Sequence, residues 1–396
     1  MNALLKSLAP NHSVQLLSLN MLHVLNDGYQ SSFLLLLPFI AKDLHLSLTE
    51  VGLLGTVVSA LGIVLALPAG YIANKFGGMK ALILALLVYG IGYLATGFAA
   101  NYLTLLITFL IVGAGWGIFH PIAFALIAKW STKETRGKQM GNFTALGDVG
   151  RIGIAALITF IVAAIGWQYA AIGYAAVAII IALLFYVLFV SKKEQVTTKE
   201  KSIPNIKLWD ILKHKQFIFA AAAAAFDSFA SSSLFVFLPF LLLAKGVSPA
   251  FLGSFTAAFF IGNFVGKTVL GRFVDKFGNT KVLMVAELFM AIFILLLANT
   301  TSFFFIIGCS IVLGVFTKGT IPVLQTMVSE AGEHHGNFEK VFGANELISY
   351  SAKTAAPVLL GIISDKLGII TAFNVMAVVA LMAIIPAFAF QRTKAA

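Results

Sequence analysis

The chain has 396 residues, 60% of them hydrophobic and 11% charged, and a mean hydropathy of +0.96. That balance excludes a soluble globular domain. The net charge of +11 does not indicate a nucleic-acid partner either, because the basic residues follow a membrane topology instead of forming one patch.

Apolar stretches of 20 or more residues, each long enough for a hydrocarbon core of about 30 Å, recur along nearly the whole chain. They predict twelve spans, at 14–41, 48–73, 79–99, 102–128, 139–164, 167–190, 216–244, 249–274, 280–300, 302–328, 339–364 and 368–390. The expected class is an all-α membrane protein whose twelve transmembrane helices form two pseudo-symmetric six-helix bundles. The first span is too long for a signal-peptide core and has no small-residue cleavage site, so it reads as a helix. It nevertheless carries His23, Asn26 and Asp27 near its middle. A carboxylate at that depth costs about 2.5–3.5 kcal/mol on insertion scales, and something must offset it.

Alternating the spans across the bilayer places most basic residues on one side, including Lys75, Lys80, Lys129, Arg136, Lys192, Lys213, Arg272, Lys281 and Lys340. Only Lys42, Lys245 and Lys366 fall on the other. This positive-inside asymmetry predicts two cytoplasmic termini, a bacterial inner-membrane location and the lipid bilayer as partner, with anionic lipid at the basic face. Cys309 is the single cysteine and cannot form an intrachain disulfide, so packing is its expected role. A monomer is expected.

The one long polar connection, residues 191–215, separates bundles at 1–190 and 216–396 and reads as a solvated cytoplasmic linker. Its end, IKLWDILKH, suits a short interfacial helix with Trp209 at the headgroups.

The two bundles repeat. Gly70 pairs with Gly271, Pro38 with Pro239, Gly52 with Gly253, Gly113 with Gly314 and Pro121 with Pro322, all at one constant offset. With one residue of slippage Arg151 falls on Lys353, and Asp27 falls on Asp227. Two parallel six-helix repeats with a site near the midplane form a transporter architecture.

The repeated segments GYIANKFGGMK and GRFVDKFGNTK, starting at Gly70 and Gly271, resemble the loop between the second and third helices of the major facilitator superfamily. Within that superfamily, HVLND at 23–27 and GAGWGIFHP at 113–121 resemble the first- and fourth-helix signatures of the fosmidomycin-resistance branch of efflux proteins. The resemblance implies gating loops containing Gly70, Asn74, Gly77, Gly271, Asp275 and Gly278, and a cavity lined by the first, fourth, seventh and tenth spans. The superfamily's loop acid stands as Asp275 in the second half but as Asn74 in the first, where an amide cannot pair ionically with a base. Gly77 and Gly278 also read simply as tight turns.

Helical spacing gathers the intramembrane polar groups into stripes. His23, Asp27 and Gln30/Ser31 form one; Thr144, Asp148 and Arg151 a second; Glu346, Ser349/Tyr350 and Lys353 a third. At 1.5 Å per residue, Asp27, Arg151, Asp227, Lys318 and Lys353 lie roughly 14–21 Å from a helix end, in one midplane layer. No basic residue is read within a turn of Asp27, so its carboxylate is expected to have no fixed partner, to be protonated part of the time and to carry the coupling proton, with Asp227 and Glu346 as further candidates. His23, Gln30, His120, Asp148, Arg151, Lys318, Tyr350 and Lys353 are the candidate substrate-binding residues.

Structural alternatives stay open. Asp148–Arg151 could be an ion pair that only specifies packing. His120, before Pro121, could be a hydrogen-bonded kink residue. Asp227 with Ser228 and Ser231–Ser233 could be interhelical polar glue. Gly113 and Gly117 suit close packing, and Lys267 and Glu287 sit near enough to helix ends to snorkel.

Catalysis is not expected. No GxxxxGK[ST] loop supports ATP use, no Cys/His spacing suggests a metal, and His334 and His335 read as solvated loop residues. The expectation is a secondary transporter with no cofactor beyond the proton as coupling ion, exporting a small organic anion, zwitterion or drug-like metabolite. Arg151 and Lys353, as repeat-related cations, favour an anionic or zwitterionic solute. Proton-linked uptake of an organic anion is the main alternative, and a non-transporting sensor on the same fold is the other.

Overall fold

The computed structural model describes residues 12–130, 136–189, 208–332 and 338–395. Fifteen α-helices occur in these residues: α1 (His12–Asp43), α2 (Leu48–Phe76), α3 (Gly78–Gly97), α4 (Tyr102–Trp130), α5 (Arg136–Ile165), α6 (Trp167–Phe189), α7 (Leu208–Lys213), α8 (Lys215–Ser232), α9 (Leu234–Ala244), α10 (Leu252–Phe277), α11 (Asn279–Asn299), α12 (Phe303–Lys318), α13 (Thr320–Gly332), α14 (Phe338–Leu367) and α15 (Ile369–Ala395). Helix is the expected outcome where the hydrocarbon core offers no water to satisfy backbone groups.

The twelve spans are present, two of them as broken helices. The seventh is α8 plus α9, interrupted at Ser233, and the tenth is α12 plus α13, interrupted at Gly319. Hydropathy does not reveal such breaks, because the residues on both sides remain apolar. Eleven spans qualify by length and apolarity, whereas the first is diluted by its own polar stripe. The short α7 forms where the sequence placed it, and its Trp209 is exposed.

The chain divides into two compact units. The first comprises Met1–Leu46 and Val57–Lys199; the second, Ser47–Thr56 and Glu200–Ala396. In the first, α1 lies along α5, and α3 packs against α4 and α6. In the second, α8 lies along α14 and α15, α11 along α15, and α10 along α12. The first turn of α2 belongs to the second unit: the amides of Leu48 and Thr49 each donate to the Asp365 carboxylate at 2.8 Å.

The repeat extends to packing detail. Gly113 of α4 faces Val58 and Leu61 of α2, and its counterpart Gly314 of α12 faces the Phe259 carbonyl of α10. Both are close-packing positions. The loop glycines Gly77 (φ 90°) and Gly278 (φ 83°) adopt the left-handed region, which glycine tolerates without strain. Each ends one long helix and starts the next within a single residue.

A candidate proton and anion site in the first unit

The α1–α5 interface decides what surrounds Asp27. Gly28, Gly147 and Gly150 let the two helices approach so closely that a Cβ on Gly150 would clash with the Val24 carbonyl. A Cβ on Gly147 would strike the Asp27 carboxylate and the His23 ring. Above this contact, buried tyrosines hold α1 in register. Tyr93 donates to the Tyr29 carbonyl at 2.6 Å, Tyr29 to the Tyr174 carbonyl at 2.8 Å, and Tyr174 to the Ile154 carbonyl at 2.7 Å.

Asp27 is 1% exposed and has partners on three helices. Arg151 of α5 approaches Oδ2 at 2.8 Å and also holds Asp148 at 2.7 Å. His23 Nε2 lies 3.2 Å from Oδ2, His120 Nε2 of α4 lies 3.4 Å from Oδ1, and Asn26 donates to Oδ1 at 3.0 Å. This corrects the expectation that Asp27 lacks a fixed basic partner. Periodicity reports neighbours on the same helix, and this partner comes from α5. The Asp148–Arg151 pair exists as a buried ion pair, but it is one edge of a network and not an isolated packing device.

His23 carries further information. Its Nδ1 lies 2.7 Å from the Phe143 carbonyl, and the ring stacks on that of Phe143 at 3.7 Å. A carbonyl only accepts, so Nδ1 holds a hydrogen. Nε2 then faces Asp27, and two bare acceptors would repel across 3.2 Å. A proton between them, on the imidazole or on the carboxyl, removes the conflict. Charge balance agrees: Asp27 and Asp148 against Arg151 leave one negative charge, which one proton neutralises. Phe143, Asn26 and Gly147 were not among the sequence candidates; the small-residue spacing of Gly147 and Gly150 was the available signal.

His23, Asp27 and His120 present ligand atoms within 4.8 Å of one another, as a metal site would. The set fits a proton better, because a guanidinium already occupies Oδ2 and Nδ1 is committed to Phe143.

The other candidates fall elsewhere. Gln30 is half-buried on α1. In the second unit, Asp227 accepts from the Thr320 hydroxyl at 2.8 Å, and Gln325 donates to Glu346 at 3.4 Å. Lys353 lies over the Tyr350 ring at 4.4 Å and Lys318 over Phe235 at 5.4 Å. Glu287, expected to snorkel, is completely buried, because it sits on the inward face of α11. Gly70 and Gly271 have open space where a Cβ would stand, and Asp275 is exposed. The Asn74 side chain and His334 and His335 lie outside the described residues.

The Major Facilitator Superfamily model matches residues 19–240 and 220–396. The chain belongs to that superfamily. A probable sulfoacetate transporter of Cupriavidus necator is 29% identical over 41% of this chain and 39% of its own length. A nitrite extrusion protein of Bacillus subtilis is 27% identical over 73% of this chain and 69% of its own. A multi-drug resistance efflux pump of Streptococcus pneumoniae is 25% identical over 84% of each. Among solved structures, a bacterial homolog to the human lysosomal transporter Spinster superposes with a TM-score of 0.76 at 18% identity, covering 97% of both chains. The E. coli fucose:proton symporter does so with a TM-score of 0.63 at 16% identity, covering 96% and 99%. These two likenesses bear on fold alone.

Proposed function

We propose that this superfamily member is a proton-coupled secondary transporter of a small organic anion, with both termini on the cytoplasmic side of a bacterial inner membrane. The observation that carries the reading is the commitment of His23 Nδ1 to the Phe143 carbonyl, which aims Nε2 at Asp27. The coupling proton resides on the His23–Asp27 pair. When Asp27 takes it, Arg151 loses one of its two carboxylate partners and can turn its planar fork to a substrate carboxylate, sulfonate or phosphonate. Proton and anion therefore bind in the same state. His120 of α4 supplies a hydrogen-bonding edge in the same unit. A relative named as a sulfoacetate transporter supports the anion class.

Binding proton and anion together favours uptake down a proton gradient, the alternative in the sequence reading. Export in the manner of the fosmidomycin-resistance branch is the second reading, supported by the likeness to a multi-drug efflux pump over most of both chains. The test is a panel of carboxylates, sulfonates, phosphonates and drug-like cations on proteoliposomes with an imposed pH gradient. Accumulation of an anion on the alkaline side, with matching proton uptake, is expected. Movement of the solute against the proton flux supports export, and no flux of any solute supports a sensor.

A further inference from the structure

In the second unit α8 packs along α15, and the start of one meets the end of the other. Gln216 of α8 donates to the Thr393 carbonyl of α15 at 3.4 Å, which ties those two ends together. Beside this tie lies a groove of about 430 Å³, lined by Lys215, Ile218 and Phe219 of α8 and by Ala389, Arg392 and Thr393 of α15. Its described lining holds two cations and no carboxylate.

Both helices grade the lining in the same order. On each, the cation stands at the outer end and the apolar residues one turn deeper: Lys215 above Ile218 and Phe219, Arg392 above Ala389. Lys215 and Arg392 are exposed, and the Arg392 guanidinium lies 4.6 Å from the centre of the Phe388 ring, which orients its fork. Deeper along α15 the same stripe continues with the exposed Ile385 and Met382. Immediately before α8, α7 carries the exposed Trp209 with the Lys213 ammonium 5.5 Å from its ring, a pairing suited to headgroup depth. A ligand that fits is anionic at one end and apolar at the other. A soluble anion leaves the apolar wall unused, and a neutral lipid leaves two cations uncompensated.

We propose that this groove binds one anionic phospholipid, with its phosphate on Lys215 and Arg392 and an acyl chain over Ile218, Phe219 and Ala389. Arginine offers phosphate two parallel N–H donors, and lysine a mobile point charge. The site is defined by six residues on two helices, unlike the diffuse attraction of a basic face to acidic lipid. It does not depend on what the protein transports.

The test is native mass spectrometry of the full chain, released from detergent micelles after titration with phosphatidylglycerol or with phosphatidylcholine of the same acyl chains. A single phosphatidylglycerol, retained in preference to phosphatidylcholine, is expected. Lys215→Gln combined with Arg392→Gln should weaken its retention about tenfold or more. Lys276→Gln combined with Lys281→Gln, an equal loss of charge on α10 and α11, should leave it intact. Ala389→Trp keeps both cations but fills the groove, so it should also expel the lipid. Equal retention of the two lipids, undiminished retention in the Lys215/Arg392 variant, equal loss in the two charge variants, or retention in Ala389→Trp overturns the site. Displacement of the lipid by glycerol phosphate also overturns it and makes the groove a soluble-anion site. If one of the groove variants does not accumulate, the other decides.

Discussion

Arg151 on α5 grips Asp27 on α1 at 2.8 Å, and this contact joins the two halves of a charge network that sequence spacing had left apart. The guanidinium is shared with Asp148, so whichever carboxylate takes a proton releases half of its hold. Coupling by competition for one cation needs no large motion within the unit.

Asp27→Asn mimics the protonated carboxyl permanently. Substrate exchange should survive, while accumulation driven by a pH gradient should disappear. Counterflow and gradient-driven uptake, measured on the same proteoliposomes, separate these outcomes. Undiminished accumulation would remove Asp27 from the mechanism and leave Asp227 or Glu346 to carry the proton.

Arg151→Gln leaves Asp27 and Asp148 buried against no guanidinium, a loss of about 3–5 kcal/mol for a broken buried pair. Adding Asp27→Asn should restore part of it, with a coupling of about 0.5–3 kcal/mol in the double-mutant cycle. Thermal unfolding of the four proteins in one detergent measures this. Strict additivity would mean that the 2.8 Å contact carries no energy.

Three glycine substitutions on α5 should differ sharply. Gly150→Ala forces a Cβ into the Val24 carbonyl and should cost about 1–3 kcal/mol by overpacking, lowering abundance and transport together. Gly147→Ala presses on Asp27 and His23, so it should change the pH profile of transport more than the melting temperature. Gly153→Ala meets nothing within 4 Å and serves as the silent control. Equal effects at all three positions would contradict the packing argument.

Anion recognition is tested by Arg151→Lys, which keeps the charge but loses the fork. It should weaken binding of the transported anion at least several-fold while purified yield changes little. Normal transport by this variant, with lipophilic cations as the true substrates, would make Arg151 structural.

Topology is tested with cysteines at Ser202 and Val247. The first should label only from the cytoplasmic face and the second only from the opposite face. Labelling from the same side would break the proposed orientation.

Much of this fold was legible because its strongest signal, apolar length, is the one the bilayer enforces. The spans, the glycine turns at Gly77 and Gly278 and the short helix at Trp209 all follow from composition and local backbone preference. What escaped notice depends on contacts between helices. Arg151 could not be assigned to Asp27 from spacing, since their juxtaposition depends on Gly28, Gly147 and Gly150 bringing α1 against α5. Glu287 was misjudged for a related reason: distance from a helix end measures depth, and it does not tell which face looks inward. Ser233 and Gly319 were silent because a break in the backbone leaves hydropathy unchanged.

The capping of Leu48 and Thr49 by Asp365 bears on how this gene can be cut and recombined. Severing the polypeptide in the linker does not yield two self-sufficient pieces, because the downstream piece would lack Ser47–Thr56, which belong to its own unit. Separately expressed fragments should therefore complement each other only when produced together. Chimaeras with relatives should tolerate an exchanged second half only if the opening turn of α2 travels with it.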